Sequence, residues 1–225
     1  MKRFLHLLMT LAILPAMNTQ ATPQPPPEPD RVVQARKHVT PELGAYFGRP
    51  VFIRIIKEDW ELELWVRNNG QWSILKTYEI AGMSGELGPK TAEGDCQAPE
   101  GFYEATPRGL NPHSMYHLSF NIGYPNAFDV SQGRTGSYIM IHGSDVSIGC
   151  FAMTDAGIEE IYTMVNEAFK AGQSCVPVQV YPFRMTHERM MEEATSPHYD
   201  FWKRLLPGWQ HTEQCNEPAP GTYET

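Results

Sequence analysis

One stretch in the second half of the chain constrains the fold more than any other, the sequence SYIMIHGSDVSIGCFAMT at residues 137–154. It predicts an apolar strand that ends on His142, a short loop that leads to Cys150, and then the start of a helix. Gly143 and Gly149 lie in that loop and allow it to turn sharply. The imidazole and the thiol can therefore meet at the edge of a hydrophobic sheet, which the rest of the chain must supply.

Extended patterns dominate the chain before this stretch. Residues 62–66 and 72–80 are rich in strand-forming side chains, and Asn68-Asn69-Gly70 between them indicates a β-hairpin. Other predicted strands are 51–57, 101–106, 117–122 and 176–182. The segment from Ala81 to Gly101 is rich in glycine and is expected to be a functional or mobile loop.

The clearest helix is expected from Thr154 through Gly172, because apolar residues recur there at helical spacing and form one stripe. Shorter helices are expected at 31–39, after Thr40, at 186–194 and at 199–206, with fraying from Pro207 onward. The whole pattern favours a mainly β fold, a sheet or a sandwich, with one major helix and short N- and C-terminal helices.

The first residues have the layout of a secretory signal peptide. Lys2 and Arg3 precede an apolar run over residues 4–17, and small residues follow up to Ala21, after which cleavage is expected. The run is short for a membrane span, and an uncleaved N-terminal anchor is the alternative. Without Lys2 and Arg3 the chain keeps 16 basic against 26 acidic side chains, a formal charge of −10. This charge argues against nucleic acid as a partner.

A cysteine acts as a nucleophile only when a base or a positive field helps to form the thiolate. His142 is the candidate base for Cys150, and the loop N–H groups around Ile148, Gly149 and Cys150 are candidate donors to an oxyanion. Ser147 is expected to make hydrogen bonds within the loop. The alternative is a buried inert thiol beside a histidine that is only hydrogen-bonded.

The other histidines and cysteines give little indication of a metal site or of disulfides. His113 and His117 lie four apart, but in a loop and without accompanying carboxylates or cysteines, so no metal and no other cofactor is predicted. If Cys150 is a free thiol, Cys96, Cys175 and Cys215 can form at most one disulfide. The spacing leaves the pairing open, and reduced cysteines are the alternative.

The central stretch resembles the catalytic motif of the YkuD family, the L,D-transpeptidases of bacterial cell walls, and most closely that of the YafK-type members. Other segments carry the same resemblance in the same order along residues 50–186. They are Gly88-Pro-Lys90, Pro99-Glu-Gly-Phe-Tyr103, Asn121-Ile-Gly-Tyr-Pro-Asn-Ala127, Ala152-Met-Thr154 and Tyr181-Pro-Phe-Arg-Met-Thr186.

The resemblance implies a β-sandwich-like catalytic domain over 50–186, with Cys150 as nucleophile, His142 as base and the Gly143 carbonyl orienting the imidazole. A signal peptide (1–21), a Pro-rich linker with a helical lead-in (22–49) and a C-terminal helical extension (187–225) complete the predicted layout. Such enzymes act in the periplasm on the amide that follows the L-centre of meso-diaminopimelate in a peptidoglycan stem peptide. They form a thioester and pass the acyl group to an amine or to water.

Two positions depart from the commonest motif of the family. Ile148 replaces a second histidine, and Ala152 replaces an arginine found in many members. YafK-type members share such departures, and the resemblance to them implies hydrolysis of the link between diaminopimelate and the terminal lysine of the outer-membrane (Braun) lipoprotein. The predicted partners are thus peptidoglycan stem peptides and that lipoprotein. The alternatives are a transpeptidase that forms cross-links or exchanges the terminal D-amino acid, and a non-catalytic wall-binding module.

Four further residues are expected to contact substrate because they lie in or beside segments that resemble the family. They are Lys90, Glu100, Tyr124 and Arg184. A zwitterionic diaminopimelate centre needs partners of both signs. We also expect the Cys150 pKa to fall below the free value of about 8.5, because His142 could hold an ion pair with the thiolate.

Overall fold

A computed structural model describes residues 27–220, so the predicted signal peptide and the first part of the linker lie outside the described residues. The helices are α1 (Asp30–His38), α2 (Pro41–Gly44), α3 (Ala127–Ser131), α4 (Thr154–Lys170), α5 (His187–Glu192) and α6 (Tyr199–Cys215). The strands are β1 (Val51–Ile56), β2 (Glu61–Asn68), β3 (Gln71–Glu79), β4 (Gly101–Ala105), β5 (Leu110–Asn111), β6 (Ser119–Asn121), β7 (Met140–His142), β8 (Phe151–Ala152) and β9 (Val176–Tyr181).

Within these residues the strands form two sheets, one of five strands in the order β3-β2-β1-β9-β4 and one of four in the order β5-β6-β7-β8. The predicted hairpin is β2 and β3, and its turn residues Asn69 and Gly70 both have positive φ, 51° and 84°. Such a turn matches the twist of the two strands. The mainly β class with a major helix is confirmed.

β1 is buried along its whole length, including the paired Arg54, because its side chains enter two different cores. Ile53 and Ile55 pack into the main core with the buried stripe of α4, which includes Ile158, Ile161 and Val165. Ile56 packs instead into a second core together with side chains of α6. The central strand of the large sheet is thereby covered by helices on both sides.

The last helix is longer than the sequence indicates. α6 runs to Cys215 and contains Pro207 in its interior, where fraying is expected from the sequence alone. Trp202, Leu205 and Trp209 are buried on one side of α6 and hold it against the second core. This packing offsets the hydrogen bond that a proline removes from a helix. None of the helices in residues 27–220 is long and apolar enough to cross a membrane.

The glycine-rich loop between β3 and β4 is fastened to the fold by a buried ion pair. Lys57 Nζ lies 2.9 Å from Glu100 Oε1. The ammonium also donates to three loop carbonyls, those of Glu86, Gly88 and Ala98. Glu100 accepts further hydrogen bonds from the Gly88 N–H at 2.6 Å and from Trp202 Nε1 at 2.7 Å. The loop therefore has a fixed path without regular secondary structure.

Replacement of Glu100 by glutamine is expected to destabilise the protein strongly. It would leave the Lys57 ammonium buried without a counter-charge, and breaking a buried pair in this way costs about 3–5 kcal/mol. Chemical denaturation would measure the loss in the free energy of unfolding. Glu104→Gln, on β4 just after Glu100 but exposed, is the matched control and should change little. Equal stability of the two variants would contradict the role of the pair.

Candidate active site

Two short parallel strands bring the predicted histidine and cysteine together. β7 ends on His142, and Cys150 directly precedes β8. The pairing of Ile141 with Phe151 sets a register that places Cys150 beside Met140. Because Met140 and His142 are two residues apart on one strand, their side chains share a face. The imidazole and the thiol thus lie on the same face of neighbouring strands.

The orientation of the His142 ring is set by the backbone that follows it. Nδ1 lies 2.6 Å from the Gly143 carbonyl oxygen, which can only accept, so Nδ1 carries the proton and Nε2 keeps a free lone pair. Gly143 has no room for a side chain, because a Cβ there would lie 2.6 Å from Asp155 Oδ1 and 2.7 Å from the Tyr116 carbonyl. The predicted orienting role of Gly143 agrees with this geometry.

The Cys150 thiol is held between two backbone groups. The Met140 N–H donates to Sγ at 3.3 Å, and the S–H points to the Tyr138 carbonyl at 3.7 Å. Burial raises the pKa of this thiol, and the Met140 N–H and the charge of Lys90 oppose it only in part. The expectation of a lowered pKa for Cys150 is therefore wrong.

Burial also lowers the pKa of His142, against the opposing effect of the Gly143 carbonyl. The resting site is consequently a neutral thiol beside a neutral imidazole rather than a thiolate beside an imidazolium. A neutral imidazole with a free Nε2 is a competent general base at neutral pH. The proton must then leave sulfur while the substrate is attacked, not before.

The predicted oxyanion donors in the loop between His142 and Cys150 differ in whether they are available to a substrate. The Gly149 N–H donates to Ser84 Oγ at 2.8 Å and so has a partner already. The expectation that Ser147 makes hydrogen bonds within the loop is wrong, because its hydroxyl oxygen is buried and has no hydrogen-bond partner among the described residues. The Ile148 side chain is 75% exposed, so it faces solvent instead of supporting the nucleophile.

Of the four residues predicted to contact substrate, Lys90 is the one whose charge acts on the nucleophile. Its ammonium is almost buried and donates to Asp95 Oδ1 at 2.5 Å and to the Ala92 carbonyl at 2.8 Å. Its positive charge lowers the pKa of Cys150. Lys90 therefore contributes a positive field to the site.

The structure assigns the other three to the fold. Glu100 is 1% exposed, and both of its oxygens accept hydrogen bonds within the loop anchor. Tyr124 is buried, and its single O–H can donate to either the Lys90 or the Thr135 carbonyl, which both lie within hydrogen-bond distance. Arg184 is engaged by three acidic side chains at the start of β2 and just before it, namely Asp59, Glu61 and Glu63. A charged side chain in a shared segment can serve the fold as well as a substrate.

Sequence reasoning missed the residues that brace the histidine. The ring of Tyr116 lies 4.9 Å from the ring of His142, centroid to centroid. Arg31 of α1 donates to the carbonyls of Ser114 and His117 on either side of that tyrosine. The predicted helical lead-in thus supports the site, and no local pattern could have revealed a contact across more than eighty residues.

The remaining cysteines and histidines form neither bridges nor a metal centre in the described part of the chain. Cys96, Cys175 and Cys215 are free, like Cys150. His117 Nε2 pairs with Glu159 Oε1 at 2.8 Å. No group of three metal-ligating side chains occurs within residues 27–220.

A partly buried thiol, a base with a free nitrogen and loop N–H groups define the class of candidate cysteine–histidine acyl-transfer sites. The model of the L,D-transpeptidase catalytic domain, the YkuD family, matches residues 52–180, and the chain belongs to this family. YafK of Escherichia coli K12, whose own assignment as an L,D-transpeptidase is provisional, is 47% identical over 171 residues, which cover 76% of this chain and 70% of YafK.

Solved structures also resemble the chain, at lower identity. The helical cell shape determining protein Pgp2 of Campylobacter jejuni is 22% identical, with a TM-score of 0.48, and the match covers 81% of this chain but 65% of Pgp2. Bd1075 of Bdellovibrio bacteriovorus is 22% identical, with a TM-score of 0.43, over 74% of this chain and 58% of Bd1075. The chain spans less than two thirds of both structures.

The neutral pair predicts a specific pH dependence. Because the pKa of Cys150 is raised, thiolate forms only as the pH rises through that value, so the midpoint of Cys150 alkylation should lie above about 8.5. Because the pKa of His142 is lowered, catalysis should be lost only as the pH falls below 6.5. Site-resolved mass spectrometry after alkylation would measure the first midpoint. A midpoint below that of a free thiol would restore the ion-pair mechanism.

Proposed function

We propose that the protein is a periplasmic cysteine-dependent acyl-transfer enzyme that acts at meso-diaminopimelate of peptidoglycan. Its main reaction is hydrolysis of the amide that attaches a polypeptide, the outer-membrane lipoprotein, to that residue. The observation that carries the proposal is the neutral Cys150–His142 pair on adjacent strands, with Nε2 of the histidine free to accept a proton. Family membership supports a peptidoglycan substrate.

The first half of the reaction forms a thioester. His142 Nε2 takes the proton from Cys150 as Sγ attacks the amide carbonyl of diaminopimelate, and the carbonyl oxygen becomes an oxyanion that loop N–H groups stabilise. The C–N bond then breaks, and the protonated His142 returns the proton to the departing amine. The polypeptide leaves with a free amine, and the diaminopimelate acyl group remains on sulfur.

The second half of the reaction consumes water. His142 Nε2 accepts a proton from water as its oxygen attacks the thioester carbonyl, and the C–S bond breaks. The proton returns from His142 to sulfur, which restores the neutral pair. The stem peptide is released with a carboxylate on its L-centre. An amine in place of water would give transpeptidation through the same intermediate.

An apolar rim around the site supports a polypeptide as the leaving group. We use this name for exposed side chains of the 142–150 loop and of the segments that contact the pair: Met115, Tyr116, Tyr138, Val146 and Ile148. Met115 is 94% exposed and Tyr138 is 75% exposed. A glycan strand or a stem peptide is largely polar, whereas a clustered apolar surface is typical of contact with a protein chain.

A shallow recess next to the rim suits the same leaving group. It has a volume of about 490 Å³ and is formed where the 115–117 loop faces the residues that follow His142. Its walls combine Met115 and Tyr116 with the exposed carboxylates of Asp145 and Asp155. An aliphatic chain that ends in an amine matches both the apolar and the acidic parts of this lining.

The proposal is tested by incubating sacculi that carry covalently attached lipoprotein with wild type and with Cys150→Ala. Wild type is expected to release the polypeptide, and Cys150→Ala is expected to release none. Mass spectrometry would identify the free amine of the product and the new carboxylate on the stem. Cys175→Ala, another partly buried thiol outside the site, is the matched control and should retain activity.

The other outcomes separate the alternatives. Release by wild type that Cys150→Ala matches would reject a thiol mechanism. A new amide, formed only when a tetrapeptide donor and an amine acceptor are supplied, would identify a transpeptidase instead. Sacculus binding without either product, and unchanged by loss of the thiol, would identify a wall-binding module.

Replacement of Ile148 by serine tests the apolar rim. If the rim binds the polypeptide, loss of an exposed aliphatic side chain that the polypeptide covers on binding should lower kcat/KM for lipoprotein release by about ten-fold, corresponding to about 1–2 kcal/mol. The effect should fall on KM, because Ile148 does not touch the pair. Ile74→Ser, an exposed isoleucine on β3, is the control and should have no effect. An unchanged KM for Ile148→Ser would exclude Ile148 from polypeptide binding.

A further inference from the structure

The segment that follows β3 forms one wall of the nucleophile loop. Gly82 and Ala152 form an antiparallel bridge, in which the Ala152 N–H donates to the Gly82 carbonyl at 2.8 Å. The Ala81 N–H donates in turn to the Ala152 carbonyl at 2.8 Å. A Cβ on Gly82 would lie 2.5 Å from the Asp145 carbonyl oxygen, so only glycine allows this close crossing. The segment is therefore paired with β8, two residues beyond Cys150.

Ser84 makes the next contact of this segment. Both its hydroxyl and its carbonyl oxygen form hydrogen bonds. Ser84 Oγ accepts from the Gly149 N–H at 2.8 Å and donates to the Cys96 carbonyl at 2.6 Å. The Ser84 carbonyl accepts from the Ala98 N–H at 3.0 Å. Since the hydroxyl proton goes to a carbonyl, a lone pair of Oγ is left for Gly149.

This contact distinguishes two successive N–H groups of the nucleophile loop. Gly149 has a φ of 84°, and its N–H is committed to Ser84. The N–H of Cys150, one residue further, has no hydrogen-bond partner among residues 27–220. An oxyanion that forms on a carbonyl attacked by Sγ lies close to the nucleophile's own N–H.

We propose that Ser84 is a positioning residue for the oxyanion site. By fixing the peptide group that ends in the Gly149 N–H, Ser84 holds the following N–H of Cys150 free and oriented toward the reacting carbonyl. Ser84 itself does not touch the substrate. The inference rests on the proposed cysteine acyl-transfer function and adds to it a residue on a separate segment, outside the His142–Cys150 motif.

The test compares two reactions of Cys150 that differ in their need for an oxyanion site. Acylation by a β-lactam, a strained cyclic amide, passes through an oxyanion, whereas alkylation by iodoacetamide does not. Both rates would be measured at Cys150 by site-resolved mass spectrometry in wild type, Ser84→Ala and Ser84→Thr. Ser131→Ala, which removes another hydroxyl that donates to a backbone carbonyl, is the matched control.

Ser84→Ala is expected to lower the acylation rate by about ten-fold or more while the alkylation rate stays within about two-fold. Ser84→Thr keeps a hydroxyl in place and should restore acylation, and Ser131→Ala should match wild type. Equal acylation rates of Ser84→Ala and wild type would overturn the role of Ser84 but leave the proposed function standing. A parallel fall in both rates would overturn it in favour of general structural damage. Failure of wild type to be acylated, with no release from sacculi, would overturn the proposed function as well.

Discussion

The buried pair of Lys57 and Glu100 is the interaction on which the arrangement of the site depends. Two opposite charges taken out of water are stabilising only if their remaining hydrogen-bonding groups are satisfied. Here three loop carbonyls accept hydrogen bonds from the Lys57 ammonium, and the Gly88 N–H and Trp202 Nε1 donate to the Glu100 carboxylate. The pair thus joins β1, the 81–101 loop, β4 and α6. Because that loop also carries Ser84 and Lys90, the wall of the active site is set by a charge pair outside the catalytic motif.

Features with a local cause were predictable from the sequence. The turn between β2 and β3 follows from Asn69 and Gly70, which tolerate positive φ. The helix after Thr154 follows from a regular apolar stripe, and the strand that ends on His142 follows from an apolar run before a glycine. In each case neighbouring residues in the chain determine the outcome. The predicted approach of His142 to Cys150 belongs to this group, whereas their place on one face depends on the pairing of β7 with β8, which the sequence did not predict.

Features with a distant cause were not predictable. Glu100 and Arg184 are identified by sequence as charged residues in shared segments, but only the fold decides that one is buried and the other is held by acidic side chains. The full length of α6 depends on a second core that offsets the effect of Pro207. The prediction of a lowered pKa for Cys150 failed for the same reason, because burial outweighs the local partners that favour a thiolate.

A neutral pair also bears on the choice of acyl acceptor under the proposed reaction. The imidazole must accept a proton from whichever nucleophile attacks the thioester, and an amine at neutral pH is mostly protonated and cannot attack until it loses that proton. Water needs no such step. With isoleucine at 148 and alanine at 152, the loop offers no histidine or arginine to bind an acceptor. Apolar contacts at the rim would instead retain a polypeptide before cleavage, so that its departure opens the thioester to water and favours hydrolysis.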